Sequence, residues 1–203
     1  MNPERDQPSR RTLVLASSSP YRKMLLSRLG LPFEAMSPAI DESPRAGETG
    51  APLASRLALA KSHAVAGVHP EALVIGSDQT VTLDGQALGK PVSRAAAVDQ
   101  LAAAAGREVV FETAVCVLDA ASGRHAMRVV PTQVEFRALT PADIDAYVKL
   151  EPAFDCAGAF KAEGLGIALC RRVDSPDPTA LIGLPLIALC ELLAEFGISP
   201  LSP

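Results

Sequence analysis

The sequence has no tryptophan, four cysteines, three histidines and no apolar run long enough to cross a bilayer among its 203 residues. The cysteines form no CxxC pair, and no two histidines have the HxxxH spacing. These spacings argue against a structural zinc site, a disulfide framework and a histidine-rich metal site. Because the cysteines have apolar neighbours, we expect them to be small buried hydrophobic residues: Cys116, Cys156, Cys170 and Cys190.

The sequence also lacks a block of basic residues. Its 19 Lys and Arg against 23 Asp and Glu give a net charge of −4. We therefore expect neither a nucleic acid polymer nor a membrane as a partner, while a small anion could still bind in a locally basic cleft. The polar start of the chain has no apolar h-region behind it, so we expect a cytoplasmic location. An apolar fraction of 48% is typical of a soluble globular protein.

Strand-like and helix-like segments alternate along the chain, which predicts an α/β fold with a mixed sheet. Residues 1–11 are polar and predict a disordered tail, and residues 12–203 a single domain. The strand patterns lie at 12–16, 33–36, 72–76, 109–118, 125–136 and 167–173, with a short hairpin at 81–88. The helix patterns lie at 20–30, 53–68, 94–105, 144–150 and 184–196.

A serine-rich turn follows the first predicted strand. Ser17, Ser18 and Ser19 stand between the apolar run LVLA and a helix that begins near Pro20. In open α/β sheets, ligands bind beyond the carboxyl ends of strands, where helix N-termini present unpaired N–H groups. The turn suits a phosphate group. The alternative is that the serines only cap the helix.

Charged residues stand near this turn and near two similar ones. The cations are Arg22, Lys61 and Lys90, each of which could instead be a solvated surface charge. Asp78 follows an apolar strand, where a carboxylate must meet a metal, a cation or a substrate, and Glu42 in an irregular loop could supply a second carboxylate. This pattern favours metal-assisted hydrolysis of a phosphoanhydride, although the chain has no Walker A or GxGxxG motif.

Taken together, these segments resemble the Maf family of nucleoside triphosphate pyrophosphatases. The matching motifs are LASSSPYRK at 15–23, DE at 41–42, LALAK at 57–61, IGSDQ at 75–79, GKP at 89–91, the CAG-F pattern at 156–160 and GLPL at 183–186. The resemblance implies an elongated mixed sheet with two lobes around a nucleotide cleft, in a homodimer. It also implies hydrolysis between the α- and β-phosphates, with Mg²⁺ or Mn²⁺ as cofactor.

The resemblance also implies roles for individual residues. Asp78 corresponds to the catalytic proton acceptor, and the sequence leaves open whether it acts as a base or holds the metal. The other polar positions correspond to a shell around the phosphates and the metal: Ser17, Arg22, Lys61 and Lys90 on the phosphates, and Glu42 with Asp78 on the metal.

Three further positions set base preference in the family, and they correspond to Tyr21, Gln79 and Glu163. The segments SPYR, SDQ and FKAEG resemble the branch that acts on 7-methyl-GTP, with Tyr21 where that branch is expected to have Trp. A methylated guanine is cationic and stacks well on an electron-rich ring, and a glutamate can accept hydrogen bonds from its N1–H and amino group. The alternatives are a dTTP/UTP pyrophosphatase of the same family, or a nucleotide-binding regulator of septum formation.

Overall fold

The centre of the protein is a mixed seven-stranded sheet, seen in a computed structural model that describes residues 11–201. Its strands are β1 (Leu13–Ala16), β2 (Phe33–Met36), β3 (Leu73–Leu83), β4 (Gln86–Ala87), β5 (Glu108–Asp119), β6 (His125–Phe136) and β7 (Cys170–Asp174). The order across the sheet is β2-β1-β3-β5-β6-β7, and β4 pairs with β3. β1 is parallel to β2 and to β3, and the other pairs are antiparallel.

Between residues 11 and 201, five helices flank this sheet, which confirms the predicted α/β class. They are α1 (Pro20–Ser27), α2 (Gly50–Ala66), α3 (Arg94–Ala104), α4 (Pro141–Leu150) and α5 (Leu186–Glu195). Two large clusters of buried apolar side chains result. One joins β1 and the start of β3 to α1 and α5, and the other joins the far end of β3 to α3 and α4. These clusters correspond to the two lobes that the resemblance implies.

Local sequence signals fix several of these elements as predicted. The Ser19 hydroxyl accepts a hydrogen bond from the Arg22 N–H and caps α1. The hairpin between β3 and β4 turns at Asp84 and Gly85, which both have positive φ, as a type I′ turn requires. Thr140 and its partner in the first turn of α4 form a capping box.

β3 is longer than the sequence predicts. The expected strand ends at Gly76, but the structure continues it to Leu83, so Asp78 lies inside a strand and not in a turn after one. The prediction is wrong because β5 runs antiparallel along β3 and pairs with its polar residues too, with Asp78 opposite Ala114. β1 ends opposite Gly76, so Ser17 leaves the sheet beside Ser77.

The predicted strand at 167–173 begins too early. Leu165–Leu169 forms a 3₁₀ turn, and β7 starts only at Cys170. Ile167 is largely exposed, so this apolar run does not pack as a buried strand. A register shift near Phe136 in β6 limits where pairing with β7 can begin.

Other predictions have mixed outcomes. All four cysteines are free thiols, but only Cys116 is buried, so the expectation of buried cysteines is wrong for the other three. Residues 1–10 of the predicted tail lie outside the described residues, and Arg11 forms an ion pair with Asp119. No helix between residues 11 and 201 has the length and apolar character needed to span a membrane.

One glycine brings α2 close to the sheet. A Cβ atom at Gly76 would lie 3.0 Å from the Ser62 nitrogen and would collide with the Ala58 carbonyl oxygen. Only glycine therefore allows this approach of helix and strand. Lys61 precedes Ser62 on α2, and the close packing brings its side chain to Asp78 on β3.

Candidate active site

A cleft of about 740 Å³ opens beside the end of β1 and the edge of β3 that β1 leaves unpaired beyond Gly76. This volume lies within the range of small-molecule sites. The structure brings together in this cleft all the residues that the sequence singles out: Ser17, Tyr21, Arg22, Glu42, Lys61, Asp78, Gln79, Lys90 and Glu163. Apolar side chains such as Val81, Phe111 and Phe160 line another part of it.

A buried lysine between two carboxylates lies at the polar end of the cleft. The Lys61 Nζ donates to Asp78 Oδ1 at 2.6 Å and lies 2.8 Å from Glu42 Oε1. Lys61 and Asp78 are only 5% and 6% exposed, whereas the Glu42 side chain is half exposed on its loop. Lys61 therefore links the half-exposed carboxylate of Glu42 to the buried carboxylate of Asp78 in β3.

The two carboxyl groups differ in pKa because their surroundings differ. Burial raises the pKa of Asp78 above its ordinary value, although Lys61 and Arg22 oppose this effect. At Glu42 burial also favours the neutral form, but Lys61, with the charges of Lys90 and Arg22, lowers the pKa. A buried carboxylate with a raised pKa is suited to accepting a proton.

The serine turn after β1 has two roles. Ser19 caps α1, so the capping interpretation holds for that residue. Ser17 is buried, and its Oγ accepts a hydrogen bond from the Ser19 N–H at 3.1 Å. The Ser17 hydroxyl proton has no acceptor among residues 11–201, so it can be donated to a phosphate oxygen in the cleft.

Arg22 is oriented by a backbone carbonyl. Its Nε donates to the Gly183 oxygen at 2.8 Å, and the Ser77 hydroxyl donates to the same oxygen at 2.9 Å. Gly183 has φ of +115°, which favours glycine at this position. The Nη groups of Arg22 make no hydrogen bond within the described part of the chain, and they can bind phosphate oxygens.

Gln79 is held by its side-chain amide nitrogen. The two N–H groups of Nε2 are shared among three acceptors: Thr113 Oγ1 at 2.9 Å, the Ala180 oxygen at 3.0 Å and the Leu181 oxygen at 3.1 Å. The amide nitrogen is committed to the protein, so Gln79 offers the cleft its Oε1 acceptor. These contacts could not be predicted from the sequence, because the partners of Gln79 lie on distant segments.

Tyr21 and Glu163 face the cleft from opposite segments. Tyr21 lies in the first turn of α1, and Glu163 lies in the irregular segment after α4. The Lys161 Nζ lies 5.9 Å from the centroid of the Tyr21 ring. Sequence reasoning missed Lys161, although it stands in the FKAEG motif, because charge in a loop usually indicates only a solvated surface.

Comparison with known proteins shows the family of this chain. The family profile described as Maf-like protein matches residues 12–196. The chain belongs to the Maf family. It is 51% identical over 96% of its length to a protein of Albidiferax ferrireducens, of which 98% is covered. It is 56% identical over 91% of its length to one of Xanthomonas oryzae pv. oryzae, of which 96% is covered. Both relatives are named 7-methyl-GTP pyrophosphatase.

The donor set of this Maf protein fits a hard divalent cation bound together with a nucleotide. No group of three or more His, Cys, Asp or Glu side chains gathers between residues 11 and 201. Glu42 and Asp78 do meet at one point, on the Lys61 ammonium. Mg²⁺ is usually held by one or two carboxylates with substrate phosphates and water, which these two residues can provide.

Proposed function

We propose that this Maf protein hydrolyses 7-methyl-GTP to the monophosphate and pyrophosphate, and so removes a modified nucleotide from the pool. The observation that carries this proposal is that one cleft contains both charged residues suited to a triphosphate and residues suited to a guanine base. Asp78 and its cations lie at the polar end, and Tyr21 and Glu163 line the same cleft. The names of the relatives support this substrate.

The polar end binds and orients the triphosphate. Ser17 donates its hydroxyl proton to a phosphate oxygen, and Arg22 contributes its Nη groups. Lys90 supplies a further positive charge from the loop before α3, whose Gly89 carbonyl accepts from the Gly158 N–H at 3.2 Å. These groups lie on different elements, so together they fix the substrate in one position.

Asp78 accepts the proton of the attacking water. The water oxygen bonds to the α-phosphorus, the bond to the bridging oxygen breaks, and pyrophosphate leaves with that oxygen. Lys61 stabilises the ionised form of Asp78 before the reaction, since it lies 2.6 Å from Oδ1. General-base assistance of this kind typically contributes a factor of about 10²–10⁴.

Glu42 and Asp78 would hold the divalent cation that the family resemblance implies. When bound, Mg²⁺ or Mn²⁺ neutralises charge on the phosphate oxygens as a Lewis acid. To bind it, the two carboxylates must share their charge between the cation and Lys61, which contacts both. The half-exposed Glu42 can adjust more easily than Asp78, which is fixed in β3.

The base end distinguishes a methylated guanine from other bases. Glu163 accepts from the N1–H and amino group, and Tyr21 stacks on the cationic ring. Gln79 offers an acceptor but no N–H, because Thr113 and two carbonyls take its donors. An acceptor-rich site favours the donor edge of guanine over bases that present acceptors there.

The test is pyrophosphate release by purified protein with 7-methyl-GTP, GTP, UTP and dTTP. The proposal expects the highest kcat/KM for 7-methyl-GTP, and Asp78→Asn serves as the inactive control. Preference for dTTP or UTP would assign the protein to the other branch of the family. Nucleotide binding without turnover would favour a regulatory role.

We also propose that the protein is cytoplasmic and homodimeric, as the family resemblance implies. Light scattering coupled to size-exclusion chromatography tests the second statement. A mass of about one chain, 21.2 kDa, would contradict it.

A further inference from the structure

We propose that Glu151, at the C-terminal end of α4 and outside the cleft, is a positioning residue that sets base selectivity. It does so by fixing the segment that carries Glu163 and by balancing the charge of Lys161 beside Tyr21. The inference rests on the proposed function, since it takes Glu163 and Tyr21 to contact the base. Glu151 does not itself line the cleft.

The Glu151 carboxylate holds the chain on both sides of Glu163. Its Oε1 lies 2.9 Å from the Lys161 Nζ, and its Oε2 accepts a hydrogen bond from the Leu165 N–H. A Cβ atom at Gly164 would lie 2.7 Å from the carboxylate carbon, so the segment passes directly against the Glu151 carboxylate. The two residues before Gly164, which are Ala162 and Glu163, line the cleft.

Tyr147 supplies a second attachment from the same helix. Its hydroxyl oxygen accepts a hydrogen bond from the Lys161 N–H at 3.1 Å. Burial raises the pKa of Tyr147 to about 12, so this hydroxyl stays neutral at physiological pH. With Glu151, Tyr147 fixes the position of Lys161 and Leu165 relative to α4, and Glu163 lies between these two attachment points.

The ion pair between Glu151 and Lys161 also controls the electrostatic potential at Tyr21, on which the base is proposed to stack. The Lys161 ammonium lies 5.9 Å from the Tyr21 ring centroid, and Tyr21 lines the cleft while Lys161 does not. A positive charge beside the ring repels a cationic base stacked on it. Glu151 lies 2.9 Å from the Lys161 ammonium and neutralises that charge. Loss of Glu151 alone therefore disfavours a cationic base more than a neutral one.

The experiment compares Glu151→Gln, Lys161→Met and the double variant with the wild type. The quantity measured is the ratio of kcat/KM for 7-methyl-GTP to that for GTP, with kcat, KM and Tm recorded separately. Glu151→Gln is expected to lower this ratio roughly tenfold, the size of weakening one charge-assisted contact, mainly through KM. The double variant is expected to recover part of the ratio, because the unbalanced ammonium is gone.

A matched control is Glu195→Gln, which removes a carboxylate from the exposed pair with Arg128 far from the cleft. It is expected to leave the ratio unchanged. A Glu151→Gln variant that lowers Tm or slows both nucleotides equally, with the ratio intact, would show a structural role only and overturn the proposal. Should the wild type prefer another nucleotide, the proposed function fails by itself. The ratio of kcat/KM for 7-methyl-GTP to that for GTP is then still measured, and an unchanged ratio in Glu151→Gln overturns the inference separately.

Discussion

Replacing Asp78 by Asn is expected to lower the rate of hydrolysis strongly while changing the stability of the fold little. The substitution keeps the size of the side chain but removes the proton acceptor from β3. Loss of general-base assistance lowers kcat by about 10²–10⁴-fold, which raises the barrier by roughly 2.7–5.4 kcal/mol. Nucleotide binding should survive, because Ser17, Arg22 and Lys90 remain in place.

The effect on stability is expected to be small because two contributions oppose each other. Burial disfavours the ionised Asp78 carboxylate, which raises its pKa, and a neutral amide avoids that cost. The amide also weakens the contact with Lys61, but Lys61 keeps Glu42 as a partner at 2.8 Å. We expect a net change within about 2 kcal/mol, or a Tm shift of no more than about 8 °C for a chain of this size.

The assay combines single-turnover pyrophosphate release with a thermal melt and a nucleotide-binding titration. Asp119→Asn is the matched control, since it removes a carboxylate from the Arg11 ion pair outside the cleft and leaves turnover intact. Near-normal turnover of Asp78→Asn would refute the assignment of Asp78. A collapse of Tm together with activity would show that the residue is needed to build the site.

Three further predictions concern packing, base choice and the metal. Gly76→Ala forces α2 away from β3, which is expected to cost about 1–3 kcal/mol of stability and to lower kcat by weakening the Lys61–Asp78 contact. Both effects are read from a thermal melt and from turnover. Glu163→Gln is expected to lower kcat/KM for 7-methyl-GTP roughly tenfold or more, and to lower it for GTP as well, because GTP presents the same N1–H and amino group, while UTP and dTTP change little. Tyr21→Trp is expected to be tolerated or to improve kcat/KM for 7-methyl-GTP. Treatment with EDTA is expected to abolish pyrophosphate release, and Mg²⁺ or Mn²⁺ to restore it.

Each of these predictions has its own control. Gly67→Ala adds the same methyl group at the end of α2 with no atom closer than 3.8 Å, and an equal loss in both glycine variants would contradict the packing argument. Equal slowing of all four nucleotides by Glu163→Gln would make Glu163 a general structural residue. Full activity after exhaustive EDTA treatment would show that the reaction needs no metal.

The sequence predicts elements well where the cause is local. Ser19 and Pro20 start α1, and Asp84 with Gly85 turns the hairpin, because capping and positive φ depend on the residues themselves. β3 could not be predicted to its full length, since its polar residues resemble a turn until the distant partner β5 pairs with them.

The candidate site could likewise be predicted only in part. The motifs indicated which residues share the cleft, but not the contacts between them. The closeness of Lys61 to Asp78 depends on Gly76, whose need for glycine appears only when α2 lies on the sheet. Glu151 gave no signal, because its contacts with the Lys161–Leu165 segment depend on the path of a loop.

The two sides of the cleft differ in how they are built. Ser17 directly follows β1 and Asp78 lies within β3, and these two strands pair up to Ala16 opposite Gly76, so the separation of Ser17 and Asp78 is as rigid as the sheet. Glu42 and Glu163 lie on segments without strand partners. Glu42 is half exposed and can adjust to the nucleotide, whereas Glu163 is held by the contacts of Glu151 and Tyr147 with the residues on both sides of it. Because the sheet fixes the phosphate turn and Asp78, we expect the distance between them to stay constant through the catalytic cycle.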